Sequence, residues 1–281
     1  MPQGRRRKKV NRRVEARSAT GDKKLDTDVA NWINRIGSAH LSGDYVIADS
    51  LAQQALAETS DAPKILEIAG VIAFYRHRYD EAINQIERAM FVVPLSFTSQ
   101  MVLARAFLKE DMPERSLTTI RFLVEVVERI PCEMLAELTR IASELQHFDL
   151  ALSVCREACM RHPDDDQAVF GAAFYMHRLG YPVELVRNLM IKAIGLNPNS
   201  QFYRLNLASI YCSTGDWENA YDQIRRVPGE ALATIPCGCM YSMLHDVLHR
   251  FNDHERLKIL KTRSQETPGS VPENGSETTH D

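Results

Sequence analysis

Along most of the chain apolar residues return at intervals of three and four, the spacing of one helix face. The stretch RYDEAINQIERAM, residues 78–90, is typical: Tyr79, Ala82, Ile86 and Ala89 fall on a single stripe and charged residues fill the rest. Strand patterning is almost missing, and no Asn-Gly hairpin turn joins alternating segments. The pattern therefore predicts an all-α body.

The same helix start is written more than once. GDYVIADSLAQQAL begins at Gly43 and GDWENAYDQIRRV at Gly215. Aligned on the small residue that follows, the chain divides into blocks starting near residues 29, 63, 97, 132, 166 and 201, a step of 34 or 35 residues. The aligned position is Ala48, Ala82, Ser116, Ala151, Val186 and Ala220, with one residue inserted before Val186. Three positions before four of these stands an aromatic residue: Tyr45, Tyr79, Phe148 or Trp217. Ala55, Ala89, Ala158 and Ala193 follow, and then Pro94, Pro163 and Pro198.

Each feature has a physical use. Gly70, Ala104, Ala173 and Ala208 are small enough to let two antiparallel helices cross closely. Gly43, Gly180 and Gly215 suit a helix end, where the backbone turns left-handed. The prolines stop the second helix, because proline cannot continue the hydrogen-bond ladder. One pair buries only part of its apolar face, so neighbouring pairs must stack.

The period and these residues resemble the tetratricopeptide repeat. Block two fits best, through Leu66, Ala69, Gly70, Tyr79, Ala82, Ile86, Ala89 and Pro94. Block one adds Trp32 and Gly43, and block six adds Leu207, Ala208, Tyr211, Gly215 and Ala220. Block three departs most, with Pro113 and Ser116. The resemblance covers residues 29–234. It implies a right-handed superhelical solenoid of antiparallel helix pairs, about six repeats plus a C-terminal cap, acting as a non-enzymatic interaction scaffold or adaptor.

Outside the repeats the character changes. Residues 235–263 keep helical spacing without the signature and suit a degenerate capping pair. Residues 1–28 form a basic arm: GRRRKKVNRRVEAR holds eight basic residues against one acidic. Residues 264–281 are rich in Ser, Thr, Gly, Pro and acids, and are expected to form a disordered tail. At 281 residues with 44% apolar content the chain can bury a core, and its net charge of −3 argues against coating nucleic acid or membrane through an overall field. No run is apolar and long enough for a membrane helix, no secretory core opens the chain, and a cytoplasmic protein with reduced thiols is expected.

Catalytic patterns are missing. The sequence has no phosphate-cradling glycine loop, no Gly-x-Ser-x-Gly elbow and no dinucleotide fingerprint after a strand, so neither enzyme activity nor a cofactor is expected. Cys237, Cys239, His245 and His249 come nearest to a metal set, but Cys-x-Cys is not the usual zinc spacing, and cap and core roles account for them. Cys155 and Cys159 read as small core residues. Asp164, Asp165 and Asp166 precede a helix and read as a solvated N-terminal cap.

The resemblance places ligands on the first helix of each pair. Positions two, five and nine of the blocks bring Arg105 and Arg140 into adjacent repeats, and Phe170, Phe174 and Phe202 into the next two, where Asn206 stands at position six. Arginines and large aromatics anchor interfaces well. They point to a protein or peptide partner carrying acidic and apolar residues. The alternative is structural: the phenylalanines pack between repeats and the arginines pair with Glu137 or Glu67. Members that hold chaperone tails use basic and asparagine residues at positions five and nine; Ile33 and Gly37 stand there in block one, and no consecutive trio supplies the set. A competing function uses the arm, where Arg5, Arg6, Arg7, Lys8, Lys9, Arg12 and Arg13 would tether nucleic acid or ribosome through phosphates; the same run reads equally as a nuclear address or a solubilising tail. The arm holds no aromatic residue for base stacking.

Overall fold

A computed structural model describes residues 27–59, 61–232 and 238–266. Among these residues the regular structure is entirely helical. Seven helix pairs follow one another: α1 (27–41) with α2 (Tyr45–Glu58), α3 (Pro63–Tyr75) with α4 (Tyr79–Met90), α5 (Phe97–Lys109) with α6 (Pro113–Glu125), and α7 (Cys132–Glu144) with α8 (Phe148–Arg161). Then come α9 (Asp166–Arg178) with α10 (Val183–Leu196), α11 (Gln201–Ser213) with α12 (Trp217–Arg225), the short α13 (Gly229–Leu232), and α14 (Gly238–Arg250) with α15 (His254–Glu266). The chain divides into two compact units after Glu157, within α8.

One device turns the chain inside every pair. Gly43, His77, Asp111, Gln146, Gly180, Gly215 and Asn252 each have positive φ, between 53° and 77°. The next residue then donates its N–H to the carbonyl five positions back, as Asp44 does to Ala39, Arg78 to Ala73 and Asp253 to Leu248. This closes the first helix with a left-handed residue and satisfies its last carbonyls. Glycine adopts the turn without penalty; His77, Asp111, Gln146 and Asn252 adopt it at a cost of about 1 kcal/mol each. The turn is therefore present in block three despite its weak signature, and Pro113 opens α6 at a position where the missing N–H is harmless.

The aligned small residues are the points of closest packing. Ala48, Ala82, Ser116, Ala151, Val186 and Ala220 are all fully buried, as is Leu123, one helix turn pair beyond Ser116. A Cβ on Gly70 would lie 2.5 Å from Ile86 Cγ1 and 3.0 Å from the Ala82 carbonyl oxygen, so α3 and α4 cross there with no room for a side chain. In the first unit Trp32, Ile36, Ile65 and Ile72 form one core with Ala48, Ala52 and Ala55. In the second, Val169, Ala193 and Tyr203 pack with Phe170 and Leu189.

Two boundaries differ from the sequence expectation. Thr27 and Asp28, assigned to the arm, belong to α1, where a polar residue and a carboxylate suit a first turn. Residues 264–266, assigned to the tail, continue α15; Gln265 and Glu266 are good helix formers. The remainder of both terminal segments lies outside the described residues.

Candidate functional site

In the first unit the first helices bring the two arginines onto one acid. Arg105 Nη1 of α5 donates to Glu137 Oε1 of α7 at 2.7 Å. Arg140 grips the same carboxylate with Nε to Oε2 at 3.0 Å and Nη2 to Oε1 at 2.6 Å. Glu144 lies 3.7 Å from Arg140, so these four side chains balance in charge. Glu137 takes one Nη1 donor of the planar Arg105 fork.

Beside Arg105 opens a hollow of about 380 Å³, lined also by Glu137, Phe74, Tyr75, Thr98, Met101 and Val102. Thr98, Met101 and Arg105 follow at helical spacing on α5, and Phe74 and Tyr75 close the far side from α3. Tyr75 stacks on Tyr45 with centroids 5.2 Å apart, and His40 lies 4.9 Å from Tyr75. Burial raises the Tyr75 phenol above its ordinary value, with Tyr45 and Glu137 adding to the effect, and burial lowers His40. In each ring burial favours the neutral form.

Glu67, at position five of its block, does not pair with either arginine. It is buried, accepts the Ser96 backbone N–H at 2.7 Å and takes Lys64 Nζ at 2.9 Å. Burial alone would raise its carboxyl, but the bonds from Ser96 and Lys64 outweigh that and hold it below the ordinary value. It clamps the start of α5 to α3 and is a structural residue.

In the second unit the expected aromatics gather. Phe170 stacks on Tyr203 at 4.5 Å, with Phe202 at 5.3 Å and Phe174 at 6.1 Å. Phe202 stays 52% exposed, while Phe170 and Phe174 are half-buried. Asn206 donates to the Phe202 carbonyl at 2.8 Å, which uses one amide hydrogen within its own helix.

The acidic cluster divides its roles. Asp165 caps α9 by accepting from the N–H groups of Gln167 and Ala168, as the sequence implied. Asp166 instead accepts from Tyr203 Oη at 2.8 Å and Asn197 Nδ2 at 2.9 Å, joining α9 to α11. Those two bonds hold its carboxyl low, and burial together with Asp166 drives the Tyr203 phenol up.

Among the described residues no three His, Cys, Asp or Glu side chains come together as a metal set. His245 and His249 lie parallel on α14 with centroids 6.1 Å apart; Cys237 and the side chain of Cys239 lie outside the described residues. So do Arg5, Arg6, Arg7, Lys8, Lys9, Arg12 and Arg13. Cys155 is buried and Cys159 half-buried, with its thiol pushed up by burial. No described helix is long and apolar enough to cross a membrane.

A larger hollow, about 530 Å³, lies on the opposite side of α5, and nothing in the repeat pattern points to it. Glu87, Met90, Pro94, Leu95, Leu103, Phe107, Arg115 and Phe122 are among its lining.

No protein-family model and no curated protein matches the chain. Solved structures do. A tetratricopeptide repeat protein from Parabacteroides merdae matches over 85% of this chain and 93% of its own, with TM-score 0.57 and 16% identity. The pilF protein of Pseudomonas aeruginosa matches over 75% and 94%, with TM-score 0.55 and 15% identity. YrrB, described as a tetratricopeptide-repeat protein with an unusual peptide-binding site, matches over 66% and 94%, with TM-score 0.51 and 20% identity. The fold is that of tandem tetratricopeptide-repeat helix pairs.

Proposed function

We propose that this chain is a non-enzymatic interaction scaffold that holds a peptide or partner helix on its first-helix faces. The observation that carries the reading is the hollow beside Arg105. There a guanidinium fork adjoins the apolar walls of Phe74, Met101 and Val102, a combination suited to a carboxylate flanked by an apolar side chain. The exposed Phe202 ring, set on Phe170, offers a second anchor in the other unit. The fold supports the reading in general terms, and the description of YrrB supplies a precedent within it.

Selection of displayed peptides on the full chain tests this. Peptides combining acidic and apolar residues should be enriched, and Arg105→Ala or Phe202→Ala should weaken them about tenfold or more. Equal binding by the wild type and by a chain carrying both changes would remove the first-helix site.

The basic excess of residues 4–17 supports a second reading, in which Arg5, Arg6, Arg7, Lys8, Lys9, Arg12 and Arg13 tether the scaffold to nucleic acid or ribosome. A salt titration comparing the full chain with one lacking residues 1–24 tests it. Absence of nucleic-acid binding by both would exclude the tether.

A further inference from the structure

The larger hollow of the first unit lies on the side of α5 away from Arg105, between α4 and α6. Its floor is Leu103 and Phe107, and Arg115 lies over the Phe107 ring at 4.2 Å. Its charged lining residues, Glu87 and Arg115, pair with each other, so the opening is neutral and selects against a charged occupant. The remaining walls are Met90, Pro94, Leu95 and Phe122, and Phe122 is 52% exposed.

The same surface carries a projection. Met90 at one end of the run Met90–Leu95, and Pro94 with Leu95 at the other, line the hollow. Between them Phe91 and Val92 stand out of the surface, 85% and 68% exposed. Water-exposed apolar residues grouped in this way mark an interaction surface. A knob and a hole side by side on one neutral patch meet the condition for a two-fold contact, in which each copy inserts its knob into the other's hole.

We propose that this patch is a homodimer interface, with Phe91 and Val92 of each copy seated in the hollow of its partner. The occupant is a second copy of this chain because projection and recess lie on one surface. The internal Glu87–Arg115 pair also leaves no like charges to oppose each other when two copies meet.

Sedimentation of the full chain over a concentration series tests the proposal. The wild type should form a dimer. Phe91→Ser with Val92→Ser, both at exposed positions, should raise the dissociation constant about a hundredfold while leaving thermal unfolding and peptide selection unchanged. Thr119→Trp, which fills the hollow, should have the same effect on association. Mixing the two variants should restore part of the dimer, since the knob of the second still fits the hole of the first. A monomeric wild type, or a dimer indifferent to the Phe91 and Val92 changes, would overturn the interface and assign the hollow to a different protein.

Discussion

The two units are written in one repeat, and the contacts described between their repeats mix ion pairs and aromatic stacking in different proportions. In the first, ion pairs bridge successive repeats: Asp49 with Arg78, Asp61 with Arg88, Glu87 with Arg115, and Arg105 with Glu137. Aromatic stacking joins repeats in both units: Tyr45 meets Tyr75 in the first, and the second has two such stacks. Phe170 stacks on Tyr203, Tyr221 stacks on Phe251 at 4.4 Å, and each tyrosine also bonds a carboxylate, Asp166 or Asp253. A repeat fixes where neighbouring helices meet but leaves the means of joining them open. Partly exposed ion pairs add up to about 1 kcal/mol and are screened by salt. Buried rings contribute apolar area that salt does not screen.

The comparison breaks most sharply at Tyr203. Tyr203→Ala should cost about 3 kcal/mol, by removing a buried ring and leaving Asp166 without one partner. Tyr203→Phe keeps the ring and should cost about 1 kcal/mol, so chemical denaturation of the pair separates stacking from the hydroxyl bond. Similar losses for both would mean the stack contributes little.

In the first unit the largest single effect is expected where α3 and α4 touch. Gly70→Val forces a side chain against Ile86 and the Ala82 backbone, and should cost about 2–3 kcal/mol in denaturant unfolding. A neutral outcome would show that the crossing can open.

Acid should act through Glu67, Asp166 and Asp253, whose carboxyls all sit below their ordinary values in the folded chain. Such groups add stability that is complete above the unfolded value, 4.5 for Glu67, and is lost as pH falls through the lower folded value. Unfolding temperature should therefore drop on acidification, and Glu67→Gln should flatten that drop while costing about 1–2 kcal/mol at neutral pH. An unchanged pH profile in the variant would remove Glu67 as a contributor.

The smallest effect belongs to the ion pairs. Arg115→Ala should cost under about 1 kcal/mol at low ionic strength and less in roughly 1 M salt, whereas the Tyr203→Ala loss should be nearly the same in both. Equal salt dependence would erase the distinction between the units.

Much of the architecture could be read from residues alone. The period placed helix starts at residues 63, 97, 132, 166 and 201, because proline, capping residues and small residues act locally and return at fixed intervals. Local rules also named Asp165 as a cap. They failed where the cause was local but not glycine-based: His77, Asp111, Gln146 and Asn252 make the same left-handed turn as the three glycines without announcing it.

The candidate site was less accessible. Position on a first helix singles out Arg105, Arg140 and the Phe170 group as candidates, yet it does not say which side chains the packing occupies. Glu67 reads in the sequence as a partner for the arginines and instead clamps Ser96; Asp166 reads as a cap and instead binds Tyr203. Sequence by itself determined the all-helical repeat, since helix propensity, capping and close crossing depend on residues within one period. Tertiary structure alone decided which arginine adjoins an open hollow, which carboxylates are spent between repeats, and that Phe91 and Val92 stand beside a recess. Those outcomes depend on side chains about one period apart meeting in space, which the pattern of a single repeat does not encode.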